Sequence, residues 1–182
     1  MPKPSQVILL VEDSRHQQFG VRFLRRLGLT QHAIRIEKSP SATGSGEQFV
    51  RERFAVEVIA YRRRQAQTKL ILVIDADNHT LQQRIRHLDH ALQKAGVAPI
   101  DNETEEIARL VSKRNIETWI LCLNHQPVDE VTDYKRTPND WSQLVRTGVE
   151  FLYAWTRPNT AIPQTCVNSL QIGIREIQKL QF

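Results

Sequence analysis

The sequence predicts an α/β protein: a mostly parallel sheet with helices on both faces and a helical C-terminal extension. Three observations lead there. The runs "QVILLV" (6–11) and "KLILVIDADN" (69–78) are apolar almost throughout, without the alternation of a sheet wetted on one side. Each precedes a stretch of helical periodicity. The order strand, helix, strand, helix, strand, helix is that of a parallel sheet covered on both faces.

Taken in order, 6–11 is a short buried strand. Ser14 is expected to cap a helix running to about Leu27, with Phe19, Phe23 and Leu27 on one face and Gly28 as its stop. "HAIRIEK" (32–38) alternates and reads as a more exposed strand, and "SPSATGSGE" (39–47) is turn-rich. The next helix reaches about Arg64 and buries Val50, Phe54, Val58 and Tyr61. After 69–78, a helix from about Thr80 to Ala95 turns Leu81, Ile85, Leu88 and Leu92 inward. "VAPI" (97–100) reads as a fourth short strand, and 107–123 starts extended and becomes helical near Asn115. Helices are expected over 138–156 and 165–180. The chain therefore divides into an α/β core (1–125) and a helical extension (126–182) packed on it as one domain.

A chain of 182 residues can bury roughly 70% of its unfolded surface. With 40% hydrophobic and 25% charged residues it has the composition of a soluble globule. No apolar run approaches the ~20 residues of a membrane span. The start, MPKPSQ, has no apolar signal region, so the cytoplasm is the expected location. Cys122 and Cys166 lack metal-ligand spacing and read as buried thiols. The net charge of +5 is uneven: residues 15–64 hold eleven Lys/Arg against Glu37, Glu47, Glu52 and Glu57. Phosphate is the natural partner of such a surface, and a solvated basic face is the alternative.

In an open parallel sheet, ligands bind beyond the carboxyl ends of the strands. The first strand ends at Glu12-Asp13 and the third at Asp75-Ala76-Asp77. If the two strands are neighbours, their carboxylates converge. Such a cluster needs a cation or a shared proton, and oxygen donors suit Mg²⁺ or Mn²⁺. Each acid also has a plainer use beside a helix N-terminus: Glu12 or Asp13 before the first helix, Asp75 and Asp77 before the third, Glu117 after Asn115.

"ILLVEDS" (8–14) by itself resembles the opening of a response-regulator receiver. Asp75 follows more than sixty residues later, however, and no Lys-Pro occurs after Lys3, so the rest of that pattern fails. "LLVED" together with "VIDAD" resembles the TOPRIM pattern of a strand-end glutamate and a later Asp-x-Asp. "KRNIETWILCL" (113–123), "GSGEQFVRERF" and "IPQTCVNSLQIGIREIQKL" are similar to stretches of small stand-alone TOPRIM-like bacterial proteins related to the overcoming-lysogenisation-defect (OLD) nucleases. These often have glycine where Asp13 stands.

The resemblance implies a TOPRIM-like, Rossmann-like sheet and metal-dependent nuclease chemistry on DNA or RNA. Glu12, Asp75, Asp77 and Glu117 would hold Mg²⁺ (or Mn²⁺), with Lys113 and Arg114 on phosphate. Arg15 is a further phosphate candidate. His79 could shuttle a proton or ligate metal, or simply face solvent. Trp119 and Trp155 read as core aromatics, and Tyr61, Tyr134 and Tyr153 have no surroundings that mark a covalent nucleophile. By the same resemblance the protein would serve in defence against phage or plasmids beside an ATPase encoded nearby, since the chain has no GxxxxGK[ST] of its own. The alternative is a non-catalytic TOPRIM-fold regulatory or nucleic-acid-binding subunit of an ATPase complex.

Overall fold

The computed structural model describes residues 4–40, 45–64 and 67–182. Part of the turn-rich stretch before the second helix, 41–44, lies outside them. The elements in chain order are β1 (Gln6–Val11), α1 (Ser14–Arg26), β2 (Ile34–Lys38), α2 (Gly46–Arg63), β3 (Thr68–Asp75), α3 (Leu81–Lys94), β4 (Ile107–Ser112), α4 (Ile116–Leu123), α5 (Trp141–Trp155) and α6 (Asn168–Lys179). Among the described residues the sheet has four strands in the order β2-β1-β3-β4, and every pairing is parallel. The α/β class and its parallel sheet follow the sequence expectation.

Side chains alternate across a strand, so each strand feeds two cores. Val7, Leu9, Val11, Ile71, Val73, Ala108 and Leu110 pack with α1, α4, α5 and α6. Ile8, Leu10, Leu70, Leu72, Ile74 and Val111 pack with α2 and α3 on the other face. All eight residues of β3 are buried, which explains a run with no polar alternation. The C-terminal helices thus share the apolar core of α1 and β1. Trp119 anchors that side: it is fully buried, donates its indole N–H to Ser169 Oγ at 2.7 Å, and lies against Gly173.

Two local expectations are corrected. Residues 97–100 form no strand: the carbonyls of Ala98 and Pro99 accept from the Arg62 guanidinium, at 2.9 and 2.8 Å, in place of a ladder, and Pro99 has no N–H to give one. The cap of α1 is Asp13, and Ser14 is the first helical residue. The Asp13 carboxylate accepts from the N–H groups of Arg15 (2.8 Å) and His16 (3.0 Å), and a full negative charge suits a helix N-terminus better than a hydroxyl. Cys122 and Cys166 are buried free thiols, as expected, and burial pushes Cys166 up to about 12. Among the described residues no helix is long and apolar enough to cross a membrane.

Candidate functional site

β1 and β3 are hydrogen-bonded neighbours, so their carboxyl ends open side by side. Glu12 follows β1 and Asp75 ends β3. The Glu12 carboxylate accepts from the Asp75 backbone N–H at 3.3 Å. Gly46, at the start of α2, comes so close that a β-carbon there would lie 2.7 Å from Glu12 Cγ and 2.9 Å from its carbonyl oxygen. A glycine is needed for α2 to start against this strand end.

Asp75 has no exposed surface. Its Oδ1 accepts from Ser112 Oγ at 2.6 Å and lies 3.0 Å from His16 Nε2. The other ring nitrogen of His16, Nδ1, lies 2.8 Å from Asp13 Oδ1, so one buried imidazole bridges two carboxylates. Burial alone would discharge this histidine. The charge of Asp75 and the hydrogen bonds that His16 donates to both aspartates outweigh it and raise the His16 pKa well above its usual 6.5. In return His16 holds Asp13 and Asp75 below the ordinary carboxylate range, against their own burial; Lys135 and Ser112 assist at Asp75.

The second oxygen of Asp75 faces a cation. Lys135, from the segment between α4 and α5, places its ammonium 3.0 Å from Asp75 Oδ2 and 3.9 Å from Asp77 Oδ1. Burial opposes its charge, but Asp75, Glu12 and Asp77 together raise its pKa. Three of the four acids singled out from the sequence therefore share the field of one ammonium. Glu12 is pushed upward, chiefly by burial and then by its acidic neighbours, so a proton or a cation is favoured there.

Asp77 lies two residues past the strand, half exposed, with a left-handed backbone (φ 52). It pairs as an isolated antiparallel bridge with Arg114, itself left-handed (φ 70). Two non-glycine residues in that region, facing each other beside a carboxylate cluster, are the kind of strain that functional loops retain. Arg84, buried on α3, fixes Asp77 at 3.3 Å and also pairs with Glu47. Glu117, in the first turn of α4, is buried. Arg15 Nε lies 3.4 Å from one of its oxygens, while the other has no hydrogen-bond partner among the described residues. Burial and then Asp75 raise the Glu117 pKa.

The tightest ligand group among the described residues is Glu12, His16 and Asp75, whose donor atoms all lie within 4.8 Å of one another. Asp77 and Glu117 stand outside that radius. His16 already spends both nitrogens on carboxylates, so its geometry suits orienting Asp75 better than ligating. Lys113 donates to the His79 carbonyl at 2.6 Å, and Arg114 bonds Asn78 and Asp133; both brace the loop after β3. His79 is exposed, stacked edge-on with His87. Comparison with known proteins finds no matching family model, curated protein or solved structure.

His16, Arg84 and Lys135 were absent from the sequence reading. His16 sits at i−3 and i−7 from Phe19 and Phe23, on the apolar face of α1, and Arg84 lies on the Leu81/Leu88 stripe of α3. A titratable residue on a buried stripe needs a partner, which was a usable signal. Lys135 lies in an aperiodic segment that offered none.

Proposed function

We propose that the cluster at the ends of β1 and β3 is the centre of a metal-dependent phosphodiesterase acting on nucleic acid, in a TOPRIM-like fold. The observation that carries it is the convergence of Asp75 and Asp77, within the field of Glu12, on one cation position, occupied by the Lys135 ammonium. Oxygen donors of this kind fit Mg²⁺ or Mn²⁺. Glu12 and Asp75 would hold the ion, with Asp77 beside them and Glu117 behind. A divalent ion held there would lower the pKa of a bound water below the about 16 of free water and would offset charge on the leaving oxygen. Ser112 and His16 orient Asp75 so that Oδ2 points to the cation. Arg15, shared with Glu117, would meet a phosphate oxygen.

One observation favours a second reading. Lys135 already balances the aspartates, so the cluster is electrically satisfied without a divalent ion. That suits a non-catalytic subunit, such as the regulatory partner of an ATPase. Incubation with supercoiled plasmid and with total tRNA, in Mg²⁺ or Mn²⁺, separates the two. Cleavage lost in Glu12→Gln and in chelator supports the nuclease; intact substrates leave the subunit reading.

A further inference from the structure

The basic character of residues 15–64 is not uniform once folded. Arg15, Arg35, Arg51, Arg53 and Arg62 are all tied to carboxylates. Of the five cations of the stretch that have no carboxylate partner among the described residues, Arg63 and Arg64 lie elsewhere, while Arg22, Arg25 and Lys38 line one open groove of about 860 Å³. Arg25 bonds Gln31, and Lys38 donates to Ser14 Oγ at 3.0 Å. A fourth, Arg26, is held by Glu150 at 2.6 Å over the Tyr153 ring.

The groove has a direction. Its helix wall carries Ser14, Gln18, Arg22 and Arg25, which recur at helical spacing along one face of α1. At 1.5 Å per residue, the span from Ser14 to Arg25 is about 16 Å. The opposite wall is the edge strand β2, where Lys38 lies level with Val11. The groove therefore begins two residues from Glu12 and leads away from the acid cluster. Among its described lining residues there is no aromatic ring, so it has no platform for stacking unpaired bases. It offers cations and the amides of Gln17, Gln18 and Gln31, the groups that hold phosphate and sugar.

We infer that this groove seats one backbone of a nucleic-acid duplex, delivering it to the acidic cluster. The inference rests on the phosphodiesterase reading for the destination, but the binding itself needs no metal. Arg22, Arg25 and Lys38 would each meet a phosphate of that backbone. Contacts of this kind read no sequence.

The test is fluorescence anisotropy in EDTA, where no metal-dependent cleavage occurs, with labelled duplex DNA, duplex RNA and a single strand over a salt series. The expected result is duplex binding that weakens at least ten-fold in Arg22→Gln/Arg25→Gln/Lys38→Gln, with the log K against log salt slope flattening by about 2.7 for three lost phosphate contacts. Arg63→Gln/Arg86→Gln/Arg175→Gln removes the same charge from exposed positions elsewhere and is expected to stay within two-fold of wild type. Whichever duplex binds tighter identifies the nucleic acid. Equal weakening by the two triple variants, preference for the single strand, or no binding by wild type would overturn the inference. Glu12→Gln is expected to bind duplex like wild type, so loss of cleavage there and loss of binding in the groove variant are separate failures.

Discussion

His16 Nε2 and Asp75 Oδ1 lie 3.0 Å apart with no exposed surface on either residue, and the other nitrogen of the same ring reaches Asp13. A cap of α1 and the last residue of β3 are thereby joined through one side chain. The link makes the acid cluster part of the packing of α1 on the sheet.

Replacing His16 by Ala should be among the costliest changes in the chain. It leaves Asp75 charged and buried with one partner fewer, and breaking a buried pair in this way costs about 3–5 kcal/mol. The pH dependence follows from opposite shifts. His16 is raised above 6.5, so its contribution is complete below that value and is lost as pH rises through the folded pKa. Asp13 and Asp75 are lowered from 3.8, so theirs is present above 3.8 and lost as pH falls through theirs. Urea unfolding should show the largest difference between wild type and variant between about pH 4 and 6.5, shrinking on the alkaline side.

Gly46→Ala should disturb the site through Glu12. The added carbon meets both the Glu12 side chain and its carbonyl at under 3 Å, and the carbonyl belongs to the end of a buried strand. An overpacking cost of about 1–3 kcal/mol is expected in unfolding experiments, with weakened metal binding. Gly173→Ala meets the Trp119 ring even more closely and should cost a similar amount, while metal binding stays at the wild-type level.

Lys135→Met removes the ammonium that lies between Asp75 and Asp77. The buried aspartate then keeps only His16 of its two close counter-charges, and the Asp75 pKa should rise. A divalent ion no longer competes with lysine, so the Mn²⁺-induced rise in Tm should exceed that of wild type. An unchanged or smaller rise would show that Lys135 and the metal do not share the position.

The metal-induced rise in Tm should itself depend on pH. Glu12 is raised from 4.5 by burial, so protons compete with the ion there, and ionised Glu12 costs stability as pH rises. A cation relieves that cost. Thermal scans in Mn²⁺ should therefore show a small rise at pH 5 and a larger one at pH 8, where the stabilisation reaches about 2.7 kcal/mol when the ion is at one hundred times its Kd.

Much of this arrangement was legible in the order of residues. β1 and β3 are apolar without alternation, and that pattern places them inside a parallel sheet with their acids at the carboxyl ends. Whether the two strands are neighbours was open, because register and strand order depend on long-range packing. "VAPI" shows the limit of composition: two β-branched residues, Val97 and Ile100, sit there, yet Pro99 and the Arg62 guanidinium take the backbone elsewhere. His16 shows in the sequence only as a titratable residue on an apolar face: Asp13 is close in the chain, but its buried partner Asp75 comes from β3. Lys135 was hidden more deeply, since a loop lysine gives no hint of the aspartates it meets.

Isothermal titration with Mn²⁺ at pH 7.5, on wild type, Glu12→Gln and Asp77→Ala, tests the central claim most directly. The account predicts saturable binding to wild type, weakened strongly by Glu12→Gln and less by the half-exposed Asp77. Absence of binding to wild type, or equal affinity in Glu12→Gln, would contradict it and leave the Lys135 ammonium in the place assigned to the metal.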